Sequence, residues 1–189
     1  MRIIGGKLKG SNLYIPKNLI TRPLKDLVRE SIFNLLLHSN KISFKFEKAN
    51  VLDLYSGTGS FGLECLSREA DNVFFIENSS EAIKLLKKNI EKLKLKNKTK
   101  IFTSNVYQEL KKKEIYESKF NLIFCDPPFK NNDIKSLLEY ILANKFLKKN
   151  GTLILHRNKN TKDAIPKNFS TIEERVYGIS KIIFGKFLT

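Results

Sequence analysis

The sequence predicts an α/β protein: a doubly wound, mostly parallel sheet closed by an antiparallel C-terminal strand pair, with a small hairpin and a helix ahead of it. Three observations predict it. From Asn50 onward short apolar runs alternate with stretches of helical period, and a glycine-rich turn follows the first run. After Arg157 the helical signal stops and two strand-like segments remain.

The first segment alternates apolar and polar residues around Gly5, Gly6 and Gly10, with Asn12 to Ile15 as a second short strand, so a basic hairpin is expected. Thr21-Arg22-Pro23 supplies a helix start, and Leu27, Val28, Ile32, Leu35 and Leu36 recur at helical spacing through about Ser39. The Lys-rich stretch 41–49 holds Phe44 and Phe46 and reads as an ordered connector. Residues 1–45 therefore form an appendage packed on a main domain of 46–189. In that domain the strands are Val51 to Leu54, Asn72 to Glu77, Lys100 to Thr103, Phe120 to Asp126 and Gly151 to Arg157. Helical patterns lie between them at Phe61 to Arg68, Ser80 to Leu93, Val106 to Lys111 and Asn132 to Phe146. Ser170 to Tyr177 and Ser180 to Leu188 pair around Gly178 as a closing hairpin.

At 189 residues the chain suffices for one well-packed domain. It has no apolar run of about 18 residues, and MRIIGGKLKG lacks the pattern of a signal peptide, so a cytoplasmic protein is expected. Cys65 and Cys125 sit in apolar segments without CxxC spacing and read as reduced packing residues. His38 and His156 have no companion cysteines, so no metal site is assigned. The formal charge of +16 favours a polyanionic partner, discounted because lysine is abundant throughout. Arginine is scarce, and Arg2, Arg22 and Arg29 fall in the first thirty residues with Lys7 and Lys9. These five are the expected contacts to nucleic-acid phosphates.

Strand one runs into Asp53-Leu54-Tyr55-Ser56-Gly57-Thr58-Gly59, which opens a helix at the carboxyl edge of a parallel sheet, where ligands bind in this architecture. As a bare GxGxxG it fits dinucleotides as well as other nucleotides. Asp53 would repel a pyrophosphate and suits a cationic sulfonium or ammonium, which favours S-adenosyl-L-methionine over NAD. Glu77, at the next strand end, is placed to accept ribose hydroxyls of either. Asn105, after the third strand, could read an adenine edge or cap a helix. The order of elements, helices first and an antiparallel pair last, matches a class I methyltransferase.

The second signal is Asp126-Pro127-Pro128-Phe129, directly after the apolar run Leu122 to Cys125. Two prolines have little use inside a buried strand, because each removes a donor and fixes φ; at its end they make a stiff turn. The carboxylate and carbonyls there can accept the N–H bonds of an exocyclic amine, while Phe129 stacks on the ring. These residues alone leave guanine and adenine open. An oxidoreductase lacks a hydride-transfer set, and a non-catalytic RNA-binding factor would have little use for an intact turn and loop.

RIIGGKLKG at 2–10, TRPLKDLVRESIFNLL at 21–36, VLDLYSGTGSFGLECLSREA at 51–70, VFFIE at 73–77, FNLIFCDPPF at 120–129 and RVYGISKIIF at 175–184 together resemble the RsmD family of bacterial ribosomal RNA methyltransferases. The likeness covers nearly the whole chain. It implies methyl transfer from S-adenosyl-L-methionine to guanine N2 in 16S rRNA, with a small-subunit particle as partner and a monomeric enzyme. Adenine N6, or another exocyclic amine of RNA or DNA, is the alternative. Asn105 stands where the family more often has aspartate, and Glu69 where glycine is usual. His156 and Arg157 receive no catalytic role.

Overall fold

The computed structural model describes residues 1–16, 26–130 and 133–188. Arg22 and the Thr21-Arg22-Pro23 helix start lie outside the described residues. One seven-stranded sheet organises the chain in the order β3-β2-β1-β4-β5-β7-β6. Its strands are β1 (Asn50–Leu54), β2 (Asn72–Ile76), β3 (Thr99–Phe102), β4 (Phe120–Cys125), β5 (Leu147–Asn158), β6 (Phe169–Tyr177) and β7 (Ser180–Phe187). The first five run parallel; β7 pairs antiparallel with both β5 and β6.

The strands are apolar on both faces because helices cover both. Val51, Val73, Phe75, Leu122, Phe124 and Ile154 pack with α1 (Asp26–His38), α2 (Ser60–Ser67) and α3 (Ser80–Lys92). Leu52, Leu54, Phe74, Ile76, Ile123 and Cys125 pack with α4 (Val106–Glu109), α5 (Lys113–Tyr116) and α6 (Ile134–Ala143). That period of two is the alternation a pleated strand imposes. The connector joins the first cluster through buried Ile42 and Phe46. Cys65 and Cys125 are buried free thiols whose titration burial pushes up. Among the described residues no helix is long and apolar enough to cross a membrane.

Several boundaries differ from the sequence expectation. The N-terminal hairpin reduces to one antiparallel bridge, Arg2 with Asn12, and Asn12 to Ile15 is not a strand. Backbone bonds flank that bridge, from Ile3 N–H to Ser11 O, Gly10 N–H to Ile3 O and Leu13 N–H to Met1 O, while the outward-facing Ile4 and Gly5 N–H groups donate to the buried Glu64 carboxylate of α2, each at 2.8 Å. Helix α4 ends at Glu109, two residues before the expected Lys111, and the short α5 that follows was not marked by the periodicity. Helix α6 stops at Ala143, where Lys145 turns left-handed at φ 51°, and β5 begins four residues earlier than expected by pairing Leu147 with Phe120.

The glycine pair Gly5-Gly6 is explained by the same docking. A Cβ on Gly6 would lie 2.0 Å from the Ser67 carbonyl oxygen, and its φ is +75°. Helix α2 ends in a Schellman motif, with Ala70 N–H bonded to Cys65 O and Glu69 N–H to Leu66 O. Glu69 occupies the left-handed position at φ 79°, a conformation glycine adopts without strain.

Candidate active site

Order in the sheet reverses between β1 and β4, so the loops leaving their carboxyl ends diverge and open a crevice. A cavity of about 460 Å³ fills it. Asp53, Tyr55, Ser56, Gly57 and Thr58 line it from the β1 side, Glu77 from β2, and Asp126, Pro127, Pro128 and Phe129 from β4. Two motifs separated by some seventy residues thus meet on one space. A shallower groove of about 670 Å³ lies between α1 and β6, but it gathers none of these residues.

The glycine-rich turn is shaped by three positive φ angles: 60° at Tyr55, 56° at Gly57 and 83° at Gly59. Nothing lies within 4 Å of a Cβ built on Gly57, so its face is open to a ligand. Gly59 serves differently. It is the left-handed N-cap of α2 and would drive a Cβ to 2.3 Å from Leu86, so it shapes the turn from behind and is not among the residues lining the cavity.

Asp53 is 1% exposed and accepts the Gly62 N–H at 3.0 Å, satisfying one of the orphan donors in the first turn of α2. Burial pushes its carboxyl well above the usual range, and the charges of Asp126 and Glu77 push the same way against that one hydrogen bond. Glu77 accepts three backbone N–H groups: Gly57 at 2.7 Å on one oxygen, Asn78 at 2.9 Å and Ser79 at 2.8 Å on the other. A carboxylate offers about four acceptor positions, so one remains open.

Asn105 is exposed, accepts the Tyr107 N–H at 2.9 Å as the N-cap of α4, and lies outside the cavity lining. Of the expected phosphate contacts, Arg2, Lys7 and Lys9 are exposed. Lys7 pairs with Glu69. Arg29 corrects the expectation: it is fully buried, bonded to the Arg2 carbonyl and to Asp26, and cannot meet a phosphate. Helical spacing placed it on the apolar face of α1, beside Val28 and Ile32. Asn89 of α3 stitches the N-terminal segment to the site, exchanging two bonds with Tyr14 and donating to the Thr58 carbonyl at 3.0 Å.

Sequence reasoning missed the end of β5. Because Cys125 pairs with Leu155 in a parallel register, the next residues, Asp126 and His156, emerge side by side. Their side chains meet at 2.7 Å, His156 Nδ1 to Asp126 Oδ1. Arg157, fully buried, reaches the Pro128 carbonyl at 3.2 Å and the Phe129 carbonyl at 3.4 Å while gripping Asp163 with Nε at 2.9 Å and Nη2 at 2.8 Å. Burial alone would raise Asp163, but the bonds from Arg157 and Thr161 and the nearby cations hold it below the usual carboxylate range. The strand order would have exposed this neighbourhood, since adjacent parallel strands end together.

Chains of known relation bear on the site. A family model described as "Conserved hypothetical protein 95" matches residues 1–186. The ribosomal RNA small subunit methyltransferase D of Buchnera aphidicola from Baizongia pistaciae is 33% identical over 93% of this chain and 86% of its own. Its namesake in Escherichia coli K12 is 31% identical over 94% and 85%. The solved structure of Escherichia coli yhhF superposes with a TM-score of 0.84, 28% identity, and coverage of 100% and 98%. The sheet order and these likenesses make the fold that of a class I methyltransferase.

Proposed function

Since the chain belongs to the RsmD family, matched by its model over residues 1–186, we propose that it transfers a methyl group from S-adenosyl-L-methionine to N2 of a guanosine in 16S ribosomal RNA. The observation that carries the reading is the convergence of the Asp126–Phe129 turn and the glycine loop on one cavity.

The residues present fit this cofactor: Gly57 leaves its face open, Asp53 is a buried carboxyl suited to a cationic group, and Glu77 keeps an acceptor position for the ribose. When bound, S-adenosylmethionine supplies an electrophilic methyl group on a sulfonium. The chain supplies the rest. A guanine N2 lone pair is delocalised into the ring and is a poor nucleophile until its N–H bonds are held. Asp126 accepts one of them and the Pro127 carbonyl the other, while Phe129 stacks on the base at about 1–3 kcal/mol. Holding both partners in line is worth roughly 7–11 kcal/mol of barrier. As nitrogen becomes cationic, the Asp126 carboxylate stabilises the charge and then takes the proton. The base has to be unpaired or unstacked to enter, which costs a few kcal/mol.

The test is incubation with labelled S-adenosylmethionine and either unmodified small-subunit particles or free 16S RNA, followed by digestion and identification of the nucleoside. N2-methylguanosine at one position is the expected product. N6-methyladenosine would transfer the same turn to the adenine reading, and label in neither RNA substrate would overturn the proposal.

A further inference from the structure

The imidazole of His156 is 6% exposed and its two nitrogens are both engaged. Nδ1 faces Asp126 Oδ1 at 2.7 Å, and Nε2 faces the Ser180 hydroxyl at 2.9 Å. The three residues come from three adjacent strands, β4, β5 and β7, whose order in the sheet brings them into one line across its edge. Ser180 is itself buried, at 8% exposure, and sits diagonally from His156 because β7 pairs it with Asn158. The ring of Phe129 meets the imidazole edge-on, with centroids 5.5 Å apart and planes at 79°. His156, Ser180, Phe129 and Asp126 all border the cavity.

Donor and acceptor counting assigns the hydrogens. A carboxylate only accepts, so the hydrogen between His156 and Asp126 belongs to Nδ1. In the neutral ring Nε2 then has only its lone pair to offer, and the Ser180 hydroxyl donates to it. That fixes both ring orientation and tautomer. Oδ1 of Asp126 is thereby occupied, and Oδ2 is left to the base.

We propose that His156 and Ser180 are positioning residues for methyl transfer: Ser180 holds the imidazole as its Nδ1–H form, and that N–H locks the Asp126 carboxylate with Oδ2 presented to the amine. This rests on the reading of Asp126 as the group that holds the amine. In the proton step an N–H bond of the methylated amine breaks, its electron pair returns to nitrogen, and the proton forms an O–H bond with Oδ2. Neither His156 nor Ser180 gains or loses a proton in it. An unlocked carboxylate would rotate, and its Oδ2 would share itself between the amine and water.

Two substitutions separate positioning from bulk. In His156→Asn the amide nitrogen takes the place of Nδ1 and still donates to Asp126; in His156→Gln it takes the place of Nε2 and does not. With unmodified small-subunit particles as acceptor, H156Q and H156A are expected to lose about 30- to 100-fold in kcat, the scale of a displaced catalytic group, while H156N stays within about 3-fold of wild type. KM for S-adenosylmethionine is expected to stay within about twofold in all three, and S180A to lose about 5-fold in kcat. Equal rates for H156Q and H156N, or a loss confined to KM, would overturn the proposal. The ratios hold whichever base the wild type methylates, whereas the product nucleoside tests the guanine reading separately. A second arm needs no turnover: the nitrogen-15 shifts of His156 in the wild-type protein are expected to show a protonated Nδ1. An Nδ1 without its hydrogen would sink the assignment even if no RNA were methylated.

Discussion

The β4 turn and the N-terminal block are both dense in residues that look functional, and the fold uses them in opposite ways. Asp126 to Phe129 face a cavity, with Arg157 bracing their backbone from behind. Gly5 and Arg29 are buried, and Gly6, though exposed, abuts the Ser67 carbonyl: the glycines let the chain dock on Glu64 and Ser67 of α2, and Arg29 is buried beneath the Arg2 carbonyl. A motif at the carboxyl end of a parallel strand has solvent ahead of it. A motif in an appendage can equally be the fastener of that appendage, and charge alone does not tell which.

The sharpest break in that comparison is Asp126→Ala. On the proposed reading it removes the acceptor for the amine and for its proton, so turnover should fall by about 1,000-fold or more while S-adenosylmethionine affinity changes little. Labelled transfer and calorimetric binding on one preparation measure both. Undiminished turnover would move the chemistry away from the turn.

Gly6→Ala tests the fastener. The added methyl meets the Ser67 carbonyl oxygen at 2.0 Å and the backbone is left-handed at φ +75°, so the segment must shift off α2. Overpacking and strain together cost about 3 kcal/mol, or a fall of about 10 °C in Tm for a chain of this size. An unchanged Tm would mean that the N-terminal block contributes no stability, and its glycines would need a functional explanation.

A third test lies between the regions, at Asp53, where the first turn of α2 meets the cavity. Burial raises its pKa in the folded protein, so its favourable share of apo stability is present below the unfolded value and is lost as pH rises through the raised folded value. A bound cation reverses that penalty. S-adenosylmethionine affinity should therefore rise with pH through this range, and Asp53→Asn, which keeps an acceptor for Gly62, should weaken binding about tenfold and flatten the dependence. Calorimetry at a series of pH values rising from the ordinary carboxylate range checks it. A wild-type affinity flat across that series would remove Asp53 from the cationic end of the ligand.

The parallel core was legible because both-face burial leaves near-continuous apolar runs, as in Leu122 to Cys125, and because stiff or glycine-rich turns punctuate their ends. The cavity's two walls were legible for the same reason. What escaped was lateral. That His156 neighbours Asp126 follows from strand order, and strand order is set by long-range packing that local period does not encode. Glu77's engagement with three backbone amides depends on the path of the loop, which three left-handed residues determine, one of them the non-glycine Tyr55. Arg29 misled because scarcity of a residue type carries no direction; its position one residue after Val28 on the apolar stripe of α1 did.

The smallest expected effect separates surface charge from buried charge within the N-terminal block. Arg2 and Lys9 are exposed, whereas Arg29 is buried and bonds to the Arg2 carbonyl and to Asp26. Each phosphate contact to single-stranded RNA contributes about 0.7 to the slope of log affinity against log salt. An Arg2→Ala, Lys9→Ala double variant should lower that slope by about 1.4 in filter-binding titrations with 16S RNA fragments. Arg29→Met should leave the slope unchanged and lower stability by about 1 kcal/mol, through the lost bond to the Arg2 carbonyl. If Arg29→Met flattened the slope while the double variant did not, the N-terminal block would have to open on RNA, and the buried arginine would be its contact after all.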